Sequence, residues 1–124
     1  MNIFYLKICD FSLSVFDNKD IDKEIVGTMV CIAPEVILEE KYSKAVDVYA
    51  FAVVVYEIVT HNPPYKRKIG ERPKFNDETP ESYRRLITKC WQPDPKDRPT
   101  FDQIVSILKT DKGFITNDVD KKKF

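Results

Sequence analysis

Between Ala45 and Val59, 13 of 15 positions are apolar, interrupted only by Asp47 and Glu57. A run this dense has no polar stripe, so periodicity alone does not separate a helix from a buried strand, and Val53-Val54-Val55 fits either. The length favours a helix. Apolar around its whole circumference, such a helix needs cover on every side. It is also too short and too interrupted to span a bilayer, which takes roughly 20 apolar residues. Beyond Asn62, Pro63 and Pro64 stop it.

Two amphipathic helices follow. Thr79 reads as an N-cap with Pro80 at the first helical position, and Tyr83, Leu86, Ile87, Cys90 and Trp91 recur at the spacing of one helix face. Thr100 and Gln103 fit a capping box, with Phe101, Ile104, Val105 and Leu108 as the apolar stripe of the next helix. From Thr110 the periodicity fades into a charged tail, residues 110–124. At the other end, Ile3 to Cys9 is rich in β-branched and aromatic residues and reads as a strand with no ladder partner in view. Asp17 to Glu24 reads as an exposed charged loop, and Pro34 opens a short helix predicted to run through Glu40.

Charge narrows the function classes. The chain has 124 residues with 20 basic and 20 acidic side chains, and the single basic run, Lys121-Lys122-Lys123, reads as a solvated tail. That balance argues against a nucleic-acid binder that relies on a basic surface. Cys9, Cys31 and Cys90 are far apart, form no Cys-x-x-Cys pair and are accompanied by one histidine, His61, which speaks against zinc. Their odd number and apolar neighbours predict reduced, mostly buried thiols in a cytoplasmic protein. His61, with no nucleophile or base beside it, reads as a surface residue at a helix end.

Three motifs fall in one order: Asp10-Phe11-Ser12, then Gly27-Thr28 leading into Ala33-Pro34-Glu35, then Cys90-Trp91 ahead of Asp94-Pro95 and Arg98-Pro99. Together they resemble the C-terminal lobe of a eukaryotic protein kinase, over residues 3 to 109. The Cys-Trp pair is most similar to serine/threonine kinases of the tyrosine-kinase-like group. The fold this implies is mainly α, a kinase C-lobe with a residual N-terminal strand, truncated before the activation segment. The Gly-rich loop, the strand Lys and the His-Arg-Asp loop with the catalytic Asp would all precede Asp10.

The resemblance also implies roles. Asp10 would hold Mg²⁺, weakly on its own, with Phe11 packed beneath it. Ser12 stands where relatives carry Gly, so the local flip that a glycine permits is not available as cheaply. Thr28 would lie beside the substrate site, and Gly27-Thr28 at this spacing marks the serine/threonine type. Glu35 and Arg98 would form a buried bidentate ion pair tying the activation segment to the lobe. Asp47 would cap the catalytic loop, leaving its carboxylate without those partners here, and Trp91 would be core. No Ser, Thr or Tyr lies between Val15 and Val26, so phosphorylation in mid-loop is not a route to activation. Relatives insert a helix before the Arg-Pro pair, whereas this chain runs straight through Lys66 to Glu71 into Arg72-Pro73.

The implied reaction of an intact relative is transfer of the ATP γ-phosphoryl group to Ser or Thr of a protein substrate, with ATP and Mg²⁺. For this chain alone the expectation is no catalysis, no bound cofactor, and neither nucleic acid nor membrane as partner. The alternative is a noncatalytic, pseudokinase-like interaction module. With part of the Ala45 to Val59 helix uncovered, the isolated chain is expected to be marginal or to need a partner that masks that face.

Overall fold

The computed structural model describes residues 7–15, 31–38, 42–63 and 72–114. The predicted strand falls partly outside them. Its described residues, 7–9, are exposed and irregular, and no strand occurs among the described residues. An edge with no neighbouring strand has nothing to satisfy its backbone groups except water.

The apolar run forms the central helix. α1 spans Pro34–Ile37 and α2 spans Lys44–Thr60. Ser43 caps α2 by accepting the Ala45 N–H at 3.3 Å, and Asp47 adds an exposed carboxylate to the first turn, where the helix dipole favours it. His61 ends the helix in the left-handed region at φ 54°, returning its N–H to Glu57 O at 2.9 Å. The residues that α2 buries are Val48, Tyr49, Ala52, Val53, Tyr56 and Thr60. Val54 and Ile58, on its other side, are exposed, Ile58 by 64%.

α1 is shorter than predicted, since Leu38 already caps it and residues 39–41 lie outside the described set. α3 spans Glu81–Cys90 and starts one residue later than predicted, with Pro80 in the N-cap and no side chain capping the helix. Thr79 is buried and otherwise occupied: its hydroxyl donates to Asn76 Oδ1, closing the turn that leads into the helix. Arg84 reaches back to Thr79 O at 2.8 Å and Asn76 O at 2.7 Å, so the turn is held from the helix itself. Trp91 is the C-cap residue of α3 and turns into the core.

α4, Phe101–Thr110, carries the predicted capping box: Gln103 N–H to Thr100 Oγ1 at 3.3 Å and Thr100 N–H to Gln103 Oε1 at 2.8 Å. Its stripe behaves differently from the expectation. Ile104 is buried and Ile107 packs beside it, whereas Phe101, Val105 and Leu108 are exposed. The helix meets the core along the 104/107 edge, so the apolar stripe is wider than the surface available to cover it. Phe101 touches Phe51 edge to face at 5.8 Å, which joins the exposed strip of α4 to that of α2.

The core is therefore α2 clasped by α3, with Ile32, Ala33 and Val36 on one side and Ile104 on another. Tyr56, Phe75 and Trp91 form a triangle with ring centroids 5.6–5.7 Å apart, and the Tyr56 hydroxyl donates to Lys74 O at 3.1 Å. These contacts pin the extended segment that precedes α3. Among the described residues no helix is long and apolar enough to cross a membrane. Of the three thiols only Cys90 is buried; Cys31 is half-buried and Cys9 exposed, because residues 7–15 lie on the surface.

Candidate functional site

Arg98 is buried and heavily bonded, and the local sequence explains how it gets there. Asp94 accepts the Lys96 N–H at 2.9 Å and starts a single 3-10 turn, Pro95–Asp97, after which Arg98 points inward. Its guanidinium spends all five N–H directions. Nη1 donates to Glu35 Oε1 at 2.6 Å and Ala45 O at 2.8 Å; Nη2 donates to Glu35 Oε2 at 2.8 Å and Pro93 O at 3.2 Å; Nε donates to Gln92 O at 2.8 Å. Lysine has three N–H groups on one atom and cannot reproduce this fork.

The partner carboxylate arrives from the first turn of α1. Ala33, fully buried, is the N-cap, Pro34 takes the first helical position where a missing N–H costs nothing, and Glu35 then faces the core with its side chain 3% exposed. Arg98's side chain is 0% exposed. A pair this deep is costly to desolvate, and it is tolerated because every N–H of the guanidinium and both carboxylate oxygens have partners. Among the described residues no buried side-chain nitrogen or oxygen is left unsatisfied.

Tyr49 of α2 supports the pair from above, with the Arg98 guanidinium 5.1 Å from its ring centroid. The same ring carries a second arginine that sequence reasoning gave no role. Arg72 lies 5.3 Å from the Tyr49 ring and 5.7 Å from that of Trp91, donates to the Tyr49 hydroxyl at 3.3 Å, and donates to Trp91 O. The Arg72-Pro73 dipeptide was the available signal. Its stacking partners, 23 and 19 residues away, were not visible in any local pattern.

The first motif sits apart from this anchor. Asp10, Phe11 and Ser12 are exposed; Asp10 adopts φ 62°, Ser12 Oγ donates to Asp10 Oδ1 at 2.8 Å, and Ser14 N–H returns to Phe11 O at 3.1 Å. Phe11, 65% exposed, does not pack beneath the carboxylate. Gly27 and Thr28 lie outside the described residues, as does the stretch from Lys66 to Glu71. Among the described residues no three His, Cys, Asp or Glu side chains converge on a point that could hold a metal. A hard cation held by Asp10 would take its remaining oxygen ligands from water or phosphate.

Cys31 and Cys90 are poor nucleophiles. Burial pushes Cys90 up to about 12, and Cys31 is raised first by burial and then by Glu57. A cleft of about 300 Å³ opens beside Arg72, lined by Pro73, Phe75, Trp91 and Pro93 with Thr88 and Gln92. None of these is a carboxylate, imidazole or thiol, so the cleft carries no acid–base chemistry.

The protein kinase domain family matches residues 1–108. The chain belongs to that family. Within it, the chain is 38% identical to the probable serine/threonine-protein kinase drkC of Dictyostelium discoideum over 120 residues, which is 85% of this chain and 16% of that protein. It is 34% identical to the probable serine/threonine-protein kinase drkD of the same organism, over 95% of this chain and 10% of that protein. Similarity to the dual specificity protein kinase shkC, also from Dictyostelium discoideum, is 35% over 83% of this chain and 24% of that protein. The kinase-family chain thus spans a quarter or less of the length of these relatives.

Proposed function

We propose that this chain is the activation-segment and C-lobe part of a serine/threonine protein kinase of the tyrosine-kinase-like group. In the intact protein the reaction is transfer of the ATP γ-phosphoryl group to a Ser or Thr hydroxyl of a protein substrate, in a cytoplasmic setting that suits three free thiols. The observation that carries this reading is the bidentate Arg98–Glu35 pair. It joins an Ala-Pro-Glu segment to an Asp-x-x-x-Arg-Pro segment 63 residues away, the tether by which the kinase resemblance links the activation segment to the lobe. Asp10 is the Mg²⁺ ligand in this reading, and the base that takes the hydroxyl proton is an Asp from outside the chain. No step can be built from the residues present.

Residues 1 to 124 purified alone should therefore transfer no labelled phosphate from Mg·ATP to a generic protein substrate beyond what an Asp10→Ala control transfers, because phosphoryl transfer rests on positioning groups this chain does not supply. Transfer that Asp10→Ala removes would overturn the reading of the chain as noncatalytic by itself. The reading as part of a kinase is tested separately, in the reading frame upstream of the Met1 codon. A Gly-rich loop and a His-Arg-Asp segment in frame are the expected finding, and a clean stop there favours the second reading.

That second reading, a noncatalytic interaction module, is favoured by the apolar surface that Val54 and Ile58 of α2 share with Phe101, Val105 and Leu108 of α4 through the Phe51–Phe101 contact. Contiguous apolar patches of this kind on a soluble chain mark a covered face. In both readings the isolated chain should self-associate, and Val54→Lys with Ile58→Lys should move it toward monomer in light scattering while far-ultraviolet circular dichroism stays unchanged. A wild-type chain that is already a monodisperse monomer with a cooperative melt would show that this face needs no cover.

A further inference from the structure

The start of the charged tail is structured against α3, and three contacts carry it. Asp111 ends α4, returning its N–H to Ile107 O at 2.9 Å, and its carboxylate then gathers three donors. Gly113 N–H reaches Oδ1 at 2.8 Å, while the Ser82 hydroxyl at 3.2 Å and Arg85 Nη2 at 3.3 Å reach Oδ2. Those donors, Gly113 N–H most of all, hold the Asp111 carboxyl below its ordinary range.

A 3-10 turn, Lys112–Phe114, follows. Gly113 lies so close to α3 that a Cβ built there would be 1.9 Å from Ser82 Oγ and 2.9 Å from Ser82 Cβ, so only a hydrogen fits. Phe114 then meets the Tyr83 ring edge to face at 4.9 Å and packs against the core cluster. Residues 111, 113 and 114 thus all land on Ser82, Tyr83 and Arg85, within one turn of α3. Every one of these contacts involves residues beyond 108, where the family match ends.

We propose that Asp111–Phe114 is a C-terminal latch, a strap that closes over Ser82 and Tyr83 of α3 and opens as a unit while α4 stays folded. Closed, it covers Ser82, a residue only 7% exposed although it lies in the first turn of its helix. Open, it presents the Ser82 hydroxyl to solvent and uncovers the Tyr83 ring. Its contacts are few and one side of the strap faces water, which places its opening at the low-energy end of local unfolding.

Tryptic cleavage of the full 124-residue chain after Lys112 reads the latch directly, with cleavage after Lys109, inside α4, as the internal reference. Each rate is divided by that of a free peptide of the same sequence around the cut. The expected result is that cleavage after Lys112 in the wild type runs about tenfold or more below the peptide rate, because the strap must open first. Gly113→Ala, which cannot close, and Tyr83→Ala, which leaves the cleaved sequence intact, should each bring Lys112 close to the peptide rate with Lys109 unchanged. Three results would each overturn the proposal: wild-type cleavage after Lys112 at the peptide rate, protection that neither substitution alters, or acceleration of Lys109 and Lys112 together.

Discussion

Glu35→Ala is expected to cost the fold about 3–5 kcal/mol, and Arg98→Ala about as much, because each leaves the other's charge buried without its partner. The side chains are 3% and 0% exposed, so water does not compensate either loss. Against a total stability of roughly 5–15 kcal/mol, one substitution removes a large share. The double variant should lose little more than either single one, since the second change removes the stranded charge. Arg98 differs from Glu35 in one respect: it also serves the carbonyls of Ala45, Gln92 and Pro93. Arg98→Lys should therefore remain clearly destabilised, whereas Glu35→Gln, which keeps an acceptor oxygen, should be the milder change. Urea denaturation of the five variants, in a background where Val54→Lys with Ile58→Lys suppresses association, measures this. Losses that simply add in the double variant would mean that the two side chains do not act on each other.

How much of this could be read from the chain depends on how local the cause is. The capping box of Thr100 and Gln103 spans three residues and is written in their types alone, so its reading holds in the structure. The α2 helix was legible from the length of its apolar run, yet which side stays uncovered was not, because a helix apolar all round carries no directional signal. On α4 the stripe suggested that Phe101, Val105 and Leu108 face the core, and the structure exposes them. An apolar stripe tells which face prefers cover, not whether enough chain is present to provide it. Thr79 misled for a simpler reason: its hydroxyl had a competing acceptor in Asn76, three residues back, and Pro80 was already in the extended conformation of an N-cap.

The candidate site divides in the same way. The Glu35 and Arg98 positions, 63 residues apart, could be paired only through the resemblance to kinases, since no spacing rule links them. Arg72 had a motif but no visible partner, and the strap at residues 111–114 had neither motif nor period. Its determinants are one carboxylate, one glycine and one phenylalanine whose partners sit 26 to 31 residues earlier, on a helix face already explained by its own apolar pattern. Contacts made by an irregular segment to a helix leave no periodic trace of their own.

Trp91→Ala is the second change expected to be severe. The indole is 4% exposed and fills the space between Tyr56 and Phe75, each with its ring centroid 5.7 Å away, while Arg72 stacks at 5.7 Å. Removing it forfeits the transfer energy of a large aromatic side chain and leaves a cavity that its neighbours can only partly close, a loss of about 3–5 kcal/mol. The neighbours are constrained: Tyr56 is tied through its hydroxyl to Lys74 O, and Phe75 lies one residue further along the same extended segment. Collapse into the cavity would therefore drag that segment off α2, so the cost should sit at the upper end. Trp91→Phe keeps a ring in the triangle and should lose distinctly less. Because Trp91 is the chain's one tryptophan, the variants are followed by far-ultraviolet circular dichroism through a urea titration. A Trp91→Ala variant within about 0.5 kcal/mol of wild type, the range of an ordinary surface change, would mean that the aromatic triangle does not hold the segment before α3 to the central helix.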